Sequence, residues 1–280
     1  MVAISADSTC DLSKDLLEQY NIAIAPLYIL KEEQAFRDGV DFHPQDIFDH
    51  VERTGKLLKT SAVSVQDYIE LFSRLRENAE AVVHINLSSE FSACYQNACL
   101  AAREVSEVYV VDSRNLSTGS GLVVLAAADL AAQGVPAAQI KEEMDRLTTR
   151  VEASFVVERL DYLYKGGRCS ALAALGANLL HLKPCIEVRS GKMGVGKKYR
   201  GSFDKALREY VTDRLRDRKD IDLHRVFVTH CSCKPETVAM VRKIVLEHCP
   251  EAQILETCAG CTISNHCGPN TLGVLFLRKS

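Results

Sequence analysis

The chain has 280 residues, 47% of them apolar, and a formal net charge of -3 with no run of lysine or arginine. That length buries a substantial core in one large domain or two ordinary ones, and the charge pattern excludes a broad electrostatic footprint for nucleic acid. Eleven cysteines are an odd count, and the start MVAISADSTC lacks the basic segment and apolar run of a secretory leader, so reduced thiols in a cytoplasm fit better than a disulfide scaffold.

In chain order, VAISAD, NIAIAPLYIL, AVVHINL and VYVVD read as strands, being short runs rich in aliphatic residues. The segments between them, LSKDLLEQY, PQDIFDHVERTG, VQDYIELFSRLRENA and SACYQNACLAAREV, show helical spacing, with Ser13, Ser64 and Ser92 as candidate caps. STGSGLVVLAAADLAAQGV follows as a helix apolar nearly all round, hence buried, and Gly134 ends it. Its apolar run carries Asp129 and is too short to span a bilayer, so no stable membrane insertion is expected. Alternation of this kind predicts a parallel α/β sheet with flanking helices over residues 1–150.

Beyond PAAQIKEEMDRLTTRV the texture changes. ASFVVE, KPCIEV, HRVFVTHC, AQILETC and TLGVLFLRK read as strands, SGKMGVGKKYRG as a glycine-based hairpin, and FDKALREYVTDRLRDR and PETVAMVRKIVLEHC as helices. The expectation for residues 151–280 is therefore a second α/β domain with a mixed or antiparallel sheet.

Residues at the carboxyl ends of the first-half strands are hydroxyl-rich: Asp7-Ser8-Thr9, Thr60-Ser61, Asn86-Leu87-Ser88-Ser89 and Asp112-Ser113-Arg114-Asn115. Open parallel sheets bind ligands at that edge, and hydroxyls with helix N-terminal amides suit an anion or carboxylate. The same residues are also ordinary helix caps, and composition alone leaves both readings open. Neither STGSG nor GKMGVGKK has the spacing and context of a nucleotide loop.

In AGCTISNHCGPNTLG, His266 lies between Cys261 and Cys267. Cys258-x-x-Cys261 resembles half a zinc knuckle, but the neighbouring Cys231-x-Cys233 pair is too tight to complete it, so no metal is expected. No cysteine sits in a recognisable nucleophile motif. A Cys/His-dependent acyl hydrolase with His266 as base stands as the alternative reading, and a zinc-stabilised module as a third.

DSTCDL, TSAVS, NLSSEFSACYQ, VVDSRNLSTGSG, LDYLYKGGRCS, LKPCIEVRSGKM and TISNHCGPNTLGV, in that order over the whole chain, resemble the DegV family of bacterial fatty-acid-binding proteins. The resemblance implies a DegV-like two-domain fold whose second domain is lipid-binding. One long-chain fatty acid would lie at the domain interface, with no cofactor and no catalytic residue. It also implies presentation of the carboxylate to an ATP-dependent fatty-acid kinase that makes acyl phosphate for phospholipid synthesis. Carried over by motif, Thr60, Ser61, Ser92 and His266 would bind the carboxylate, and Arg168 and Arg200 would meet the head group or the partner. The apolar helix after Ser170, with Leu172, Leu175 and Leu179, would wall the acyl tunnel. About fifteen buried methylenes at roughly 0.8 kcal/mol each would supply on the order of 12 kcal/mol before association costs. Ala93-Cys94 replaces the family's usual Gly-Thr, Ser264 a usual glycine, and Asn270 the last glycine of the HxGPG turn.

Overall fold

The computed structural model describes residues 1–171 and 182–279. The first half runs β1 (Val2–Asp7), α1 (Lys14–Gln19), β2 (Ile22–Ala25), β3 (Tyr28–Lys31), β4 (Gln34–Arg37), α2 (Pro44–Thr54), β5 (Lys59–Ser61), α3 (Val65–Arg76), β6 (Ala81–Asn86), α4 (Cys94–Glu104), β7 (Val108–Asp112), α5 (Thr118–Ala132) and α6 (Ala137–Leu147). The second runs β8 (Val151–Val157), α7 (Leu160–Gly166), β9 (Leu182–Arg189), β10 (Lys192–Arg200), α8 (Phe203–Leu215), β11 (Ile221–Cys231), α9 (Pro235–His248), β12 (Ile254–Cys258), α10 (Cys261–Cys267) and β13 (Thr271–Arg278). Backbone packing divides the chain into two units. One comprises Met1–His43 and Lys59–Thr149, the other Pro44–Leu58 and the chain from Arg150 onward.

The first unit is built on a parallel sheet in the order β2-β1-β6-β7. Every residue of β6 is buried, as a parallel strand covered on both faces requires. Tyr68 and Phe72 of α3 pack with Val82 of β6 and with Ala98 and Ala101 of α4. Burying a side chain of that size contributes about 1.5–3 kcal/mol. Ser64 caps α3 with a reciprocal box: its hydroxyl accepts from the Asp67 amide at 3.1 Å, and the Asp67 carboxylate accepts from the Ser64 amide at 3.2 Å. Helix α5 is buried continuously from Thr118 to Leu125, in keeping with its apolar circumference.

One predicted element is corrected. NIAIAPLYIL is two strands, because Pro26 has no N–H to continue a ladder. The chain leaves the parallel sheet at Ala25 and resumes as β3, which pairs antiparallel with β4 and β5 in a separate three-stranded sheet.

The second unit carries a mixed sheet in the order β10-β9-β8-β13-β11-β12, in which β11 and β12 run parallel and the other neighbours antiparallel. Tyr210 and Val211 of α8 and Val241 and Val245 of α9 share a core with Val226, Val228 and Phe276 of the sheet. SGKMGVGKKYRG is not a hairpin by itself: it supplies a turn and the single strand β10, whose antiparallel partner is β9. Ser190 and Gly191, with φ of 50° and 84°, link the register pair Arg189 and Lys192, the double left-handed geometry of a two-residue hairpin turn.

A continuous span of 1–150 does not describe the packing of residues 44–58. Helix α2 packs on α10, and the side chain of Asn265 accepts from the Leu58 amide at 3.2 Å and donates to its carbonyl at 2.9 Å. This two-point clamp holds the segment within the second unit. A polar side chain that substitutes for a strand partner leaves no periodic trace in the sequence.

Candidate functional site

At the carboxyl edge of the parallel sheet, most of the hydroxyl-rich residues are engaged with one another. Asp7 is buried and accepts from the Thr9 amide at 3.1 Å, the Thr9 hydroxyl at 2.5 Å, the Leu87 amide at 2.7 Å and Asn86 Nδ2 at 3.3 Å. Burial pushes its carboxyl pKa up, and these hydrogen bonds pull it part of the way back. Asn86 Nδ2 also donates to the Tyr68 hydroxyl at 2.8 Å. Asp112 accepts from the Ser89 hydroxyl at 2.6 Å and from the Arg114 amide at 2.9 Å. Ser8 accepts from the Leu27 amide at 3.1 Å and donates to Asp38 at 3.2 Å. For these clusters the capping and loop-fixing reading prevails over a ligand-binding one.

Thr60, Ser61 and Ser92 are partly exposed, as Ser8 and Ser89 are. Thr60 and Ser61 lie on β5, an edge strand, in register with Ile29 and Tyr28. Ser92 sits ahead of α4, where its hydroxyl accepts from the Cys94 amide at 3.3 Å and donates to Cys94 Sγ at 3.2 Å. Asn97, one turn into α4, donates to the Val63 carbonyl at 2.8 Å. That bond brings the Ser61–Val63 stretch beside the start of α4. Burial, with the Asp7 charge second, pushes the Cys94 thiol up to about 11, and burial likewise raises Cys10. Both thiols are held protonated, which does not suit a nucleophile.

In the second unit, His266 lies in the last turn of α10, a helix whose other six residues are all buried. Gly268 then turns the chain with φ of 79°, and a Cβ there would meet the Tyr162 ring at 2.7 Å. Asn270 adopts the left-handed conformation, φ 52°, which Asn tolerates better than most residues. Its side chain donates to Glu158 at 2.6 Å.

The last residue of α7 closes on the histidine. A Cβ added to Gly166 would sit 2.5 Å from His266 Nδ1, so the first glycine of KGGR is required by the imidazole itself. Arg168 is exposed and donates to the Gly166 carbonyl at 2.9 Å. Desolvation first, and the Arg168 charge second, push the His266 pKa down to about 4. At neutral pH the ring is uncharged, a hydrogen-bonding group rather than a cation.

The structure thus groups Thr60 and Ser61 near Ser92 in one unit, and Arg168 near His266 in the other. Arg200 ends β10, exposed, in register with Leu182. Leu172, Leu175 and Leu179 lie outside the described residues. Sequence reasoning missed the Gly166 contact and the Asn265 clamp. The first carried a signal in the paired glycines of KGGR; the second carried none. Among the described residues, no group of three or more His, Cys, Asp and Glu side chains is arranged to hold a metal ion. No helix among them is long and apolar enough to cross a membrane.

Residues 1–279 match the profile of the DegV family, whose description is that of an uncharacterised protein family. A DegV domain-containing protein of Caldanaerobacter subterraneus is 31% identical over 281 residues, 99% of each chain. Among solved structures, a DegV family protein of Thermus thermophilus described by its fatty acid binding superposes with a TM-score of 0.90 at 29% identity, covering 99% of both chains. A stearic acid-binding protein of Eubacterium ventriosum superposes with a TM-score of 0.86 at 26% identity, over 100% of this chain and 99% of that one. With the parallel four-stranded sheet and the mixed six-stranded sheet found together at that level of agreement, the chain belongs to the DegV family.

Proposed function

We propose that the protein is a cytoplasmic carrier of one long-chain fatty acid, which it presents to a separate ATP-dependent fatty-acid kinase for acyl-phosphate formation and phospholipid synthesis. The observation that carries this reading is the full-length superposition on the fatty-acid-binding Thermus protein. In this reading the carboxylate is met by the hydroxyls of Thr60, Ser61 and Ser92 and by the uncharged imidazole of His266. Hydroxyls and an N–H donate to both carboxylate oxygens without forming a fixed ion pair, so the head group is oriented yet remains available for transfer. Arg168 supplies positive potential at the histidine, and Arg200 an exposed charge for the partner. The acyl chain supplies most of the affinity by leaving water. The raised pKa values of Cys10 and Cys94 favour this carrier role over a Cys/His acyl hydrolase.

The test is displacement of a fluorescent fatty acid by a long-chain fatty acid and by the alcohol of equal chain length. The acid is expected to compete at least tenfold better, since the alcohol leaves the donors partly unmatched. Acyl phosphate is expected on adding ATP and a fatty-acid kinase. Equal competition by acid and alcohol would remove the head-group assignment, and hydrolysis of acyl thioesters lost with a single cysteine would favour the hydrolase.

A further inference from the structure

We propose that Cys258 is a reactive surface thiol, poised by His230 for oxidation by a hydroperoxide and capture as a mixed disulfide with a low-molecular-weight thiol. The site stands apart from the fatty-acid reading and uses none of its residues.

The eleven cysteines all lie among the described residues, and Cys258 is the exposed one; the others are buried or half-buried. It is the last residue of β12, at the edge of the mixed sheet, and is in register with His230 of β11. Partners in a parallel ladder point to the same face. The imidazole Nε2 lies 3.7 Å from Cys258 Sγ, and the Ala259 amide, donating to the His230 carbonyl at 2.9 Å, fixes the pair from the backbone.

The proton on this histidine can be assigned. The Cys233 amide donates to His230 Nδ1 at 3.4 Å, so Nδ1 offers its lone pair and the ring proton of the neutral form sits on Nε2, facing the sulfur. Burial lowers the His230 pKa, with the Glu256 charge opposing, so the ring acts as an uncharged donor at neutral pH. A thiolate accepts such a bond better than a thiol does, and the contact therefore favours the reactive form.

Glu256, on the same face of β12, is 3.9 Å from the same Nε2 and competes for its proton. The competition is moderated because Arg242 of α9 pairs with that carboxylate at 3.2 Å. The neighbouring Cys233 is a poor resolving thiol. Its pKa is pushed up to about 12 by burial, and its sulfur donates to the Thr271 carbonyl at 3.4 Å. The second sulfur must come from solution.

In the first step the Cys258 thiolate attacks one peroxide oxygen. An S–O bond forms, the O–O bond breaks, and the departing hydroxide or alkoxide takes a proton from water. A small thiol then attacks the sulfenic sulfur: an S–S bond forms, the S–O bond breaks, and hydroxide leaves with the proton of the incoming thiol as water. Two thiols supply two electrons and the hydroperoxide accepts them.

The test treats the full-length protein with hydrogen peroxide and glutathione and locates the adduct by peptide mass spectrometry. The pH profile of iodoacetamide alkylation at Cys258 is measured alongside. Cys258 is expected to be modified ahead of the other ten cysteines. His230→Asn is expected to move the alkylation midpoint up by about one pH unit, a roughly tenfold loss of rate at pH 7. Glu256→Gln, on an exposed carboxylate, is expected to raise the rate by removing the competitor and its charge. Should His230→Asn fail to fold, the Glu256→Gln acceleration alone decides. Another cysteine reacting first, or a Cys258 rate unchanged in the folded variants, would mean that exposure alone governs it and would overturn the proposal.

Discussion

The carboxyl edge of the parallel sheet and the α7–α10 corner of the second unit both contain polar residues in a largely buried setting, yet they hold them in opposite ways. At the sheet edge, Asp7, Thr9, Asn86 and Tyr68 form a mutual hydrogen-bonded network, and the backbone amide of Leu87 closes on it. At the corner, His266 is positioned by close packing against a glycine and by desolvation. Polarity at a strand edge is therefore not by itself evidence of a ligand site: most of it is spent on folding the loops that carry a few partly exposed hydroxyls. At the corner it is the close approach of the Gly166 backbone that fixes where the His266 ring lies.

The largest effect should come from breaking the network. Asp7→Ala removes the acceptor for two amides, a hydroxyl and an Asn side chain at once. It is expected to cost about 3–5 kcal/mol in urea unfolding; a loss below about 1 kcal/mol would mean that the edge is solvated. Next is the corner. Gly166→Ala places a methyl 2.5 Å from His266 Nδ1 and is expected to cost about 1–3 kcal/mol through overpacking, with fatty-acid affinity falling about tenfold or more as the ring is displaced. Unchanged affinity together with unchanged stability would contradict the packing account.

The two regions also differ in how acid should act on them. His266 has its pKa down to about 4, and His84, buried under the sheet-side helices, down to about 3. In the unfolded chain both take up protons near pH 6.5, so the unfolded state binds more protons below that value and stability falls as pH drops from about 6.5. The His266 contribution levels off below about 4 and that of His84 below about 3. Asp7, with its raised carboxyl pKa, works in the opposite direction. The clean readout is thus the difference between wild type and His266→Gln: the variant is expected to lose less of its stability between pH 6.5 and 4.5. An identical slope would place the imidazole in water. The smallest effect should be Ser64→Ala, which removes one half of a capping box on α3 at about 1 kcal/mol and leaves fatty-acid binding unchanged.

Much of this architecture was legible because it rests on local rules. The alternation of strands and helices, the Ser64 cap and the left-handed Asn270 all follow from periodicity or from what a single residue tolerates. Pro26 carried an equally local signal and marks the point where one apolar run becomes two strands. What stayed hidden depends on residues far apart in sequence. The Asn265 clamp joins residues 207 apart, and the Gly166 contact with His266 spans 100 positions. For the site, the motif resemblance supplied Thr60, Ser61, Ser92 and His266 as a set. The residues alone supplied hydroxyl clusters, most of which turn out to serve the loops.

The central claim is best tested by mass spectrometry of small molecules released by organic extraction of the freshly purified protein, with His266→Ala prepared in parallel. The account predicts one long-chain fatty acid per wild-type chain and a depleted variant. A wild-type protein free of lipid, or a His266→Ala variant carrying a full complement, would contradict it.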